Sequence, residues 1–191
     1  QAEDGIRDGL NCDWSSDVCS SDLMILDDFL KKDQLDNLLS SIQKLYMKGP
    51  EKTFYIDREY NKHEYTDFSK YDDTLQNVFY ELNSKEFITV LENLTNITGL
   101  ISGNCDLRGA GIHRSFDGGF LSMHTDFNTY LHRTYGFIER RINLLLYLNP
   151  DWETHFGGDL WLMHSDNMTV EAKVLPLLNR AIIFFPYDFP R

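Results

Sequence analysis

The stretch GGFLSMHTDF, residues 118–127, decides how the rest of the chain is read. It has the composition of a β-strand, and successive strand side chains point to opposite faces. Phe120, Ser122, His124 and Asp126 then line one side. Leu121, Met123, Thr125 and Phe127 line the other, which is mostly apolar and suited to burial. An imidazole and a carboxylate aimed from the free face suit a metal site. They can supply two ligands of a 2-His-1-carboxylate triad, an open-sided donor set that takes Fe(II). A His-x-Asp tripeptide also arises by chance, as a solvated pair near a strand end. The surrounding sequence has to decide between the two.

Downstream, the pattern is that of short strands and turns. The spacing predicts strands over 109–116 and 119–127, joined across Asp117-Gly118-Gly119 as a hairpin. A loop follows at 128–139, then a nearly continuous apolar strand over 141–149. A turn segment at 150–156 and the Gly157-Gly158 pair lead into a strand over 159–163. A second hairpin turn at 164–168 precedes a strand over 169–174, and the run Arg180-Ala-Ile-Ile-Phe-Phe185 predicts a last, buried one. Gly118-Gly119 and Gly157-Gly158 are turn and close-packing glycines. No strand–Gly-rich–helix unit is present, so nothing supports nucleotide binding.

Upstream, the period is helical. Asp27 and Asp28 can cap a helix from about Phe29, with Leu35, Leu38, Leu39, Ile42 and Leu45 on one stripe and Gly49-Pro50 ending it. Residues 51–71 are polar and rich in Tyr, and predict a long loop with a short strand at 53–56. Two further helices are expected, over 72–82 and, capped by Ser84, over 85–94, closed by Thr98-Gly99. Helices first and six short strands after them predict an α+β fold containing a β-sandwich or jelly roll. The division expected is 24–99 as a helical support region and 100–191 as the β core.

Composition limits the function. The chain has 191 residues, enough for one domain with a sizeable core, and a net charge of −12. That acidity argues against nucleic acid or anionic membrane as a partner. No apolar run approaches the ~18 residues of a membrane span. Cytoplasm is the default location. Cys12, Cys19 and Cys105 form neither a disulfide framework nor a zinc-type pair.

The two ends stand apart. Residues 1–23 have no apolar periodicity and hold two of the three cysteines. They lack the apolar centre of a signal peptide and resemble translated sequencing-adapter read-through, so native sequence is expected from about Met24. At the other end, a core strand is followed by Pro186-Tyr-Asp-Phe-Pro-Arg191 alone. A truncated set of C-terminal strands is expected.

Taken together, GAGIHRSFDGGFLSMHTDFN, RRINLLLYLNPDW, GGDLWLM and LLNRAIIFF closely resemble the Fe(II)/2-oxoglutarate-dependent dioxygenases of the prolyl-4-hydroxylase type. The resemblance is strong over residues 100–191 and looser over the helices before them. It implies a double-stranded β-helix, or jelly roll, with the N-terminal helices packed on one sheet. It implies Fe(II), 2-oxoglutarate and O2 as the reagents, with ascorbate as a further cofactor. The reaction implied is hydroxylation of a C–H bond in a proline-like, peptidyl or small-molecule substrate, with release of succinate and CO2. His124 and Asp126 match the first two iron ligands, and Tyr147 matches a tyrosine whose hydroxyl reaches the co-substrate. The family's third ligand is a His shortly after the strand that matches 181–185, and an Arg or Lys further on holds the co-substrate's distal carboxylate. No His follows His164, so both are expected beyond Arg191.

Other residues have plainer readings. Arg140 and Arg141 could reach substrate or a nearby carboxylate, though a surface pair is the simpler expectation. His113 lies on the neighbouring strand, either hydrogen-bonded there or near the co-substrate. His132, His155 and His164 fall in loops, and His63 is remote. Two other functions stand beside the dioxygenase: a binding module that kept the jelly roll without the chemistry, and a metal-dependent hydrolase or cupin-type isomerase built on His124 and Asp126.

Overall fold

A computed structural model of the chain describes residues 19–20, 23–56, 58–103, 107–164 and 168–185. In chain order the elements are β1 (Cys19–Ser20), β2 (Leu23–Leu26), α1 (Lys32–Met47), β3 (Lys52–Ile56), β4 (Glu59–Tyr65), α2 (Asp73–Leu82), α3 (Lys85–Thr95), β5 (Ile112–Leu121), β6 (Thr129–His132), β7 (Gly136–Glu139), β8 (Asn143–Tyr147), β9 (Leu160–Met163), β10 (Val170–Val174) and β11 (Arg180–Phe184). The strands form small antiparallel sheets. The chain divides into two compact units. Of the described residues, one unit joins those at 19–32 with those at 142–185, and the other holds those at 33–141.

In the first unit, the apolar run 180–185 forms a buried strand, as its sequence predicts. β11 is the third strand of a sheet ordered β1-β2-β11-β8. Ile182 lies between Ile25 and Leu145 and is fully buried, with Leu23 and Val174 beside it. Removing one such aliphatic side chain from water stabilises by roughly 2 kcal/mol. β9 and β10 form a separate hairpin whose Leu160, Leu162 and Ala172 pack on the same cluster.

Two expectations fail at the start of this unit. Residues 19–20 and 23 are not outside the fold: β1 pairs with β2, and Leu23 is a core residue. The rest of the expected leader, 1–18 and 21–22, lies outside the described residues. β2 escapes notice because a four-residue apolar run is too short to show a period. The first helix also begins at Lys32 rather than near Phe29. Asp27 does not cap it. Arg180 takes both carboxylate oxygens of Asp27, at 2.6 and 2.7 Å. Asp28 is in the left-handed region, with φ 52°.

Asn179 ties this turn down. Its Oδ1 accepts from Leu30 N–H at 2.9 Å and its Nδ2 donates to Leu30 O at 2.8 Å. Its own carbonyl accepts from Phe29 N–H, and its N–H donates to Tyr147 O. The residue sits at φ 60°, which asparagine tolerates better than most side chains.

In the second unit, α1 buries Leu35, Leu38, Ile42 and Leu45, the stripe read from sequence. It packs on the sheet ordered β3-β4-β5 through Tyr46, whose ring centroid is 5.1 Å from that of Tyr65. Asp72 and Ser84 cap α2 and α3 by accepting from Leu75 N–H and Phe87 N–H, each at 3.1 Å. α3 ends at Asn96, in the left-handed conformation, before the Thr98-Gly99 expected to close it.

Three segments differ from the sequence reading. The expected loop at 51–71 is largely the β3–β4 hairpin. Its alternation is disguised because an inward residue is Lys62, buried between Glu59 and Glu64 at 3.1 Å each. The expected loop at 128–139 is the β6–β7 hairpin, whose Leu131 and Phe137 stay exposed and give no amphipathic signal. The predicted hairpin at 117–119 is a bulge inside one continuous strand. β5 pairs with β4 at Ser115↔Lys62 and resumes at Phe120↔Tyr60, so residues 116–119 bow out opposite Asn61. Asn61 Nδ2 donates to Asp117 O and closes the bow. A side chain at Gly119 would meet Phe116 O at 2.7 Å, so this glycine is a close-packing one. Among the described residues, no helix is long and apolar enough to cross a membrane.

Candidate metal centre

His124 and Asp126 follow the end of β5, not the middle of a strand. The last cross-strand bond is Ser122 N–H to Arg58 O, at 2.8 Å. β4 begins at Glu59, and residues 122–128 belong to no strand. The apolar face expected to be buried is open too: Leu121, Met123 and Phe127 are 49%, 59% and 43% exposed. The i, i+2 relation survives. His124 Nε2 lies 3.3 Å from Asp126 Oδ1.

The imidazole's other nitrogen fixes what this contact means. His124 Nδ1 is 2.8 Å from Ser122 O. A carbonyl oxygen only accepts, so Nδ1 carries the proton and donates. In the neutral ring Nε2 is then a bare lone pair facing a carboxylate oxygen. Two acceptors at that distance need a cation or a proton between them. A backbone carbonyl on Nδ1 is also how metal-binding histidines are commonly oriented.

Asp126 is held from its other side. Arg140 Nη1 lies 2.8 Å from Asp126 Oδ2, with side chains 17% and 29% exposed. The Arg140 guanidinium carbon is 3.9 Å from the Phe127 ring centroid. So Arg140 is not a plain surface arginine. Its neighbour Arg141 is the one paired outward, with Glu139 at 3.3 Å. Nothing in the sequence ranks the two. They differ by which face of the segment leaving β7 each occupies.

Residues 110–190 match the 2OG-Fe(II) oxygenase superfamily. No curated protein matches the chain. The matched stretch contains His124, Asp126, Arg140 and Tyr147. It supports an oxygenase class, whose members use Fe(II), 2-oxoglutarate and O2.

The donors present suit that metal. One neutral imidazole nitrogen and one carboxylate oxygen are two of the three ligands of an open-sided Fe(II) site. Among the described residues, no group of three His, Cys, Asp or Glu stands together. Residues 186–191, where the sequence approaches the expected third ligand, lie outside the described residues.

Four other histidines, of the matched segment and its surroundings, have their own partners. His113 Nδ1 faces Glu64 Oε1 at 3.8 Å, and burial, then the charge of Lys62, pushes its pKa down. His132 is not in a loop: it is a buried residue of β6 whose Nδ1 accepts from Thr134 and Tyr135 N–H. His155 is exposed and pairs with Glu153 at 3.2 Å. His63 packs edge-on against Phe116.

Tyr147 is on β8 in the first unit, packed on the Leu23–Val174–Ile182 cluster. Burial, and then the negative charge of Asp159, pushes its phenol up to about 12. The hydroxyl therefore stays protonated, and a hydrogen-bond donor, at any ordinary pH.

Proposed function

We propose that the chain is an Fe(II)- and 2-oxoglutarate-dependent dioxygenase of the prolyl-4-hydroxylase type, built on a jelly roll. It hydroxylates a C–H bond of a proline-like, peptidyl or small-molecule substrate. One observation carries the reading: an imidazole nitrogen set 3.3 Å from a carboxylate oxygen, with Ser122 O 2.8 Å from the ring's other nitrogen. The superfamily match over residues 110–190 and the small antiparallel sheets are consistent with it.

His124 Nε2 and Asp126 would hold the iron, and Arg140 would orient Asp126. Tyr147 would offer its hydroxyl proton to the co-substrate, a role that rests on the family resemblance. Iron in such a site supplies O2 activation, one oxygen atom going to the substrate and one to succinate as CO2 leaves. The protein's part is to fix ligand geometry and orient the reactants.

The test is Fe(II) binding together with Fe(II)-dependent succinate release from 2-oxoglutarate. Both are expected to fall by at least two orders of magnitude in His124→Ala and Asp126→Ala. Equal iron binding by these variants and the parent would overturn the assignment. Iron binding with no 2-oxoglutarate turnover over a broad substrate panel would favour the alternative, a binding module on the same scaffold.

A further inference from the structure

The second unit contains a cavity of about 470 Å³, between the β3–β4 hairpin, the turn at residues 107–110 and the β6–β7 hairpin. Its walls bring together three cations from three separate segments: Lys52, Arg108 and Arg133. Among the described residues the lining holds one carboxylate, Glu64, already shared by Lys62 at 3.1 Å and Lys52 at 3.6 Å. Among the described residues, Arg108 and Arg133 have no carboxylate partner. Arg108 instead lies over the Tyr130 ring, 5.4 Å from its centroid, which holds the guanidinium in place. His113, also in the lining, carries no negative charge in either protonation state. Among the described residues, a chain with a net charge of −12 thus gathers two cations without a carboxylate partner in one recess.

The walls are not purely polar. Phe68, Leu107 and Leu131 supply apolar surface beside the cations. Leu107 is also at φ 39°, an unfavourable conformation for a branched side chain, in a turn closed by Ala110 N–H to Leu107 O at 2.9 Å. Strain of this kind tends to gather where a binding surface is being shaped. The same turn touches the candidate metal centre: a Cβ added at Gly109 would lie 2.7 Å from Arg140 Nη2, and Arg140 holds Asp126.

We propose that this cavity binds a small organic carboxylate, its charge met by Arg108 and Arg133 and its apolar part by Leu107 and Leu131. That this carboxylate belongs to the substrate rests on the oxygenase reading; the binding itself does not. Guanidinium groups suit the task because they present paired donors to the two oxygens of a carboxylate. One layer of side chains, Arg140, would then separate the bound carboxylate from Asp126.

The experiment is calorimetric titration of the full chain with N-acetylleucine, and with N-acetylleucinamide as the neutral match. The expected result is saturable binding of the acid and none of the amide at the same concentration. Binding is expected to weaken at least tenfold in the doubly substituted Arg108→Gln, Arg133→Gln protein and to persist in the corresponding lysine variant. Leu131→Trp, which fills the recess and leaves every cation in place, is expected to block binding. His124→Ala is expected to leave it unchanged, so a failed iron site and a failed carboxylate site are told apart. Equal binding of acid and amide overturns the proposal, as does unchanged affinity in the doubly substituted protein or in Leu131→Trp.

Discussion

Arg140 lies 2.8 Å from the Asp126 oxygen that His124 does not face. The carboxylate therefore meets Arg140 at one oxygen and His124 at the other. Removing Arg140 has two opposed effects. It lifts a positive charge near the site, which favours a cation, and it frees Asp126 to rotate, which disfavours one. The pair is partly exposed, so solvent screens the charge effect. Orientation should win. Arg140→Leu is expected to weaken Fe(II) or Co(II) binding by about 10- to 100-fold, the usual consequence of losing a residue that orients a ligand. Arg140→Lys should lie between. Tighter metal binding in Arg140→Leu would mean that Arg140 competes with the metal instead.

Asn179 makes a prediction about stability. Asn179→Ala strips both side-chain bonds to Leu30, one donated and one accepted, at a position 5% exposed. Each buried group left without a partner costs about 1–3 kcal/mol. Alanine at φ 60° adds roughly 1 kcal/mol. The expected loss is about 3 kcal/mol or more, read from urea unfolding. Asn179→Gly should recover only the conformational part. Near-parental stability in Asn179→Ala would show that the Leu30 contacts are replaced by water at little cost.

The sequence and the structure agree where one physical signal acts alone. β11 was legible because apolar residues run together there, and Ala181, Ile182 and Ile183 are all buried. α2 and α3 were legible because apolar stripes of helical period run through both, and Ser84 stands one residue before the second. The hairpins at 52–65 and 129–139 were not legible, for opposite reasons. One buries a lysine whose charge is met by Glu59 and Glu64, contacts that depend on the folded strand. The other leaves Leu131 and Phe137 in solvent. At the candidate site, the His124–Asp126 proximity followed from their i, i+2 spacing. The end of the ladder at Leu121 did not, because it depends on where β4 starts. Arg140 could not be told from Arg141 for a similar reason: its partner Asp126 is brought to it by chain geometry that local pattern does not encode.

Glu51 sets a pH dependence. Burial pushes its carboxyl pKa up, but bonds from Lys70, Thr66 N–H and Asp67 N–H outweigh that and hold it below the ordinary 4.5. A depressed folded-state pKa stabilises fully above the unfolded value and is lost as pH falls through the folded one. The unfolding midpoint should therefore drop on acidification below about pH 4.5. Glu51→Gln removes the titrating group, so its midpoint should be lower at pH 7 and should change less between pH 5 and pH 3. Identical pH profiles for the two proteins would show that other carboxylates carry the acid sensitivity.

Lys62 tests whether the charged interior of the β3–β4 hairpin is structural. Its side chain is 8% exposed and lies 3.1 Å from both Glu59 and Glu64. Lys62→Met fits the volume and packs on Phe54, over which the ammonium now lies at 5.2 Å. It leaves two carboxylates without their shared cation. Removing one member of a buried ion cluster costs about 3–5 kcal/mol. Here Lys52 still reaches Glu64, at 3.6 Å, so the loss should fall at or below the low end of that range. Neutralising the acids in the same background, with Glu59→Gln and Glu64→Gln, should restore most of the stability, because an apolar or neutral replacement of a whole buried cluster is often tolerated. If the triple variant is no more stable than Lys62→Met alone, the loss comes from packing and not from stranded charge.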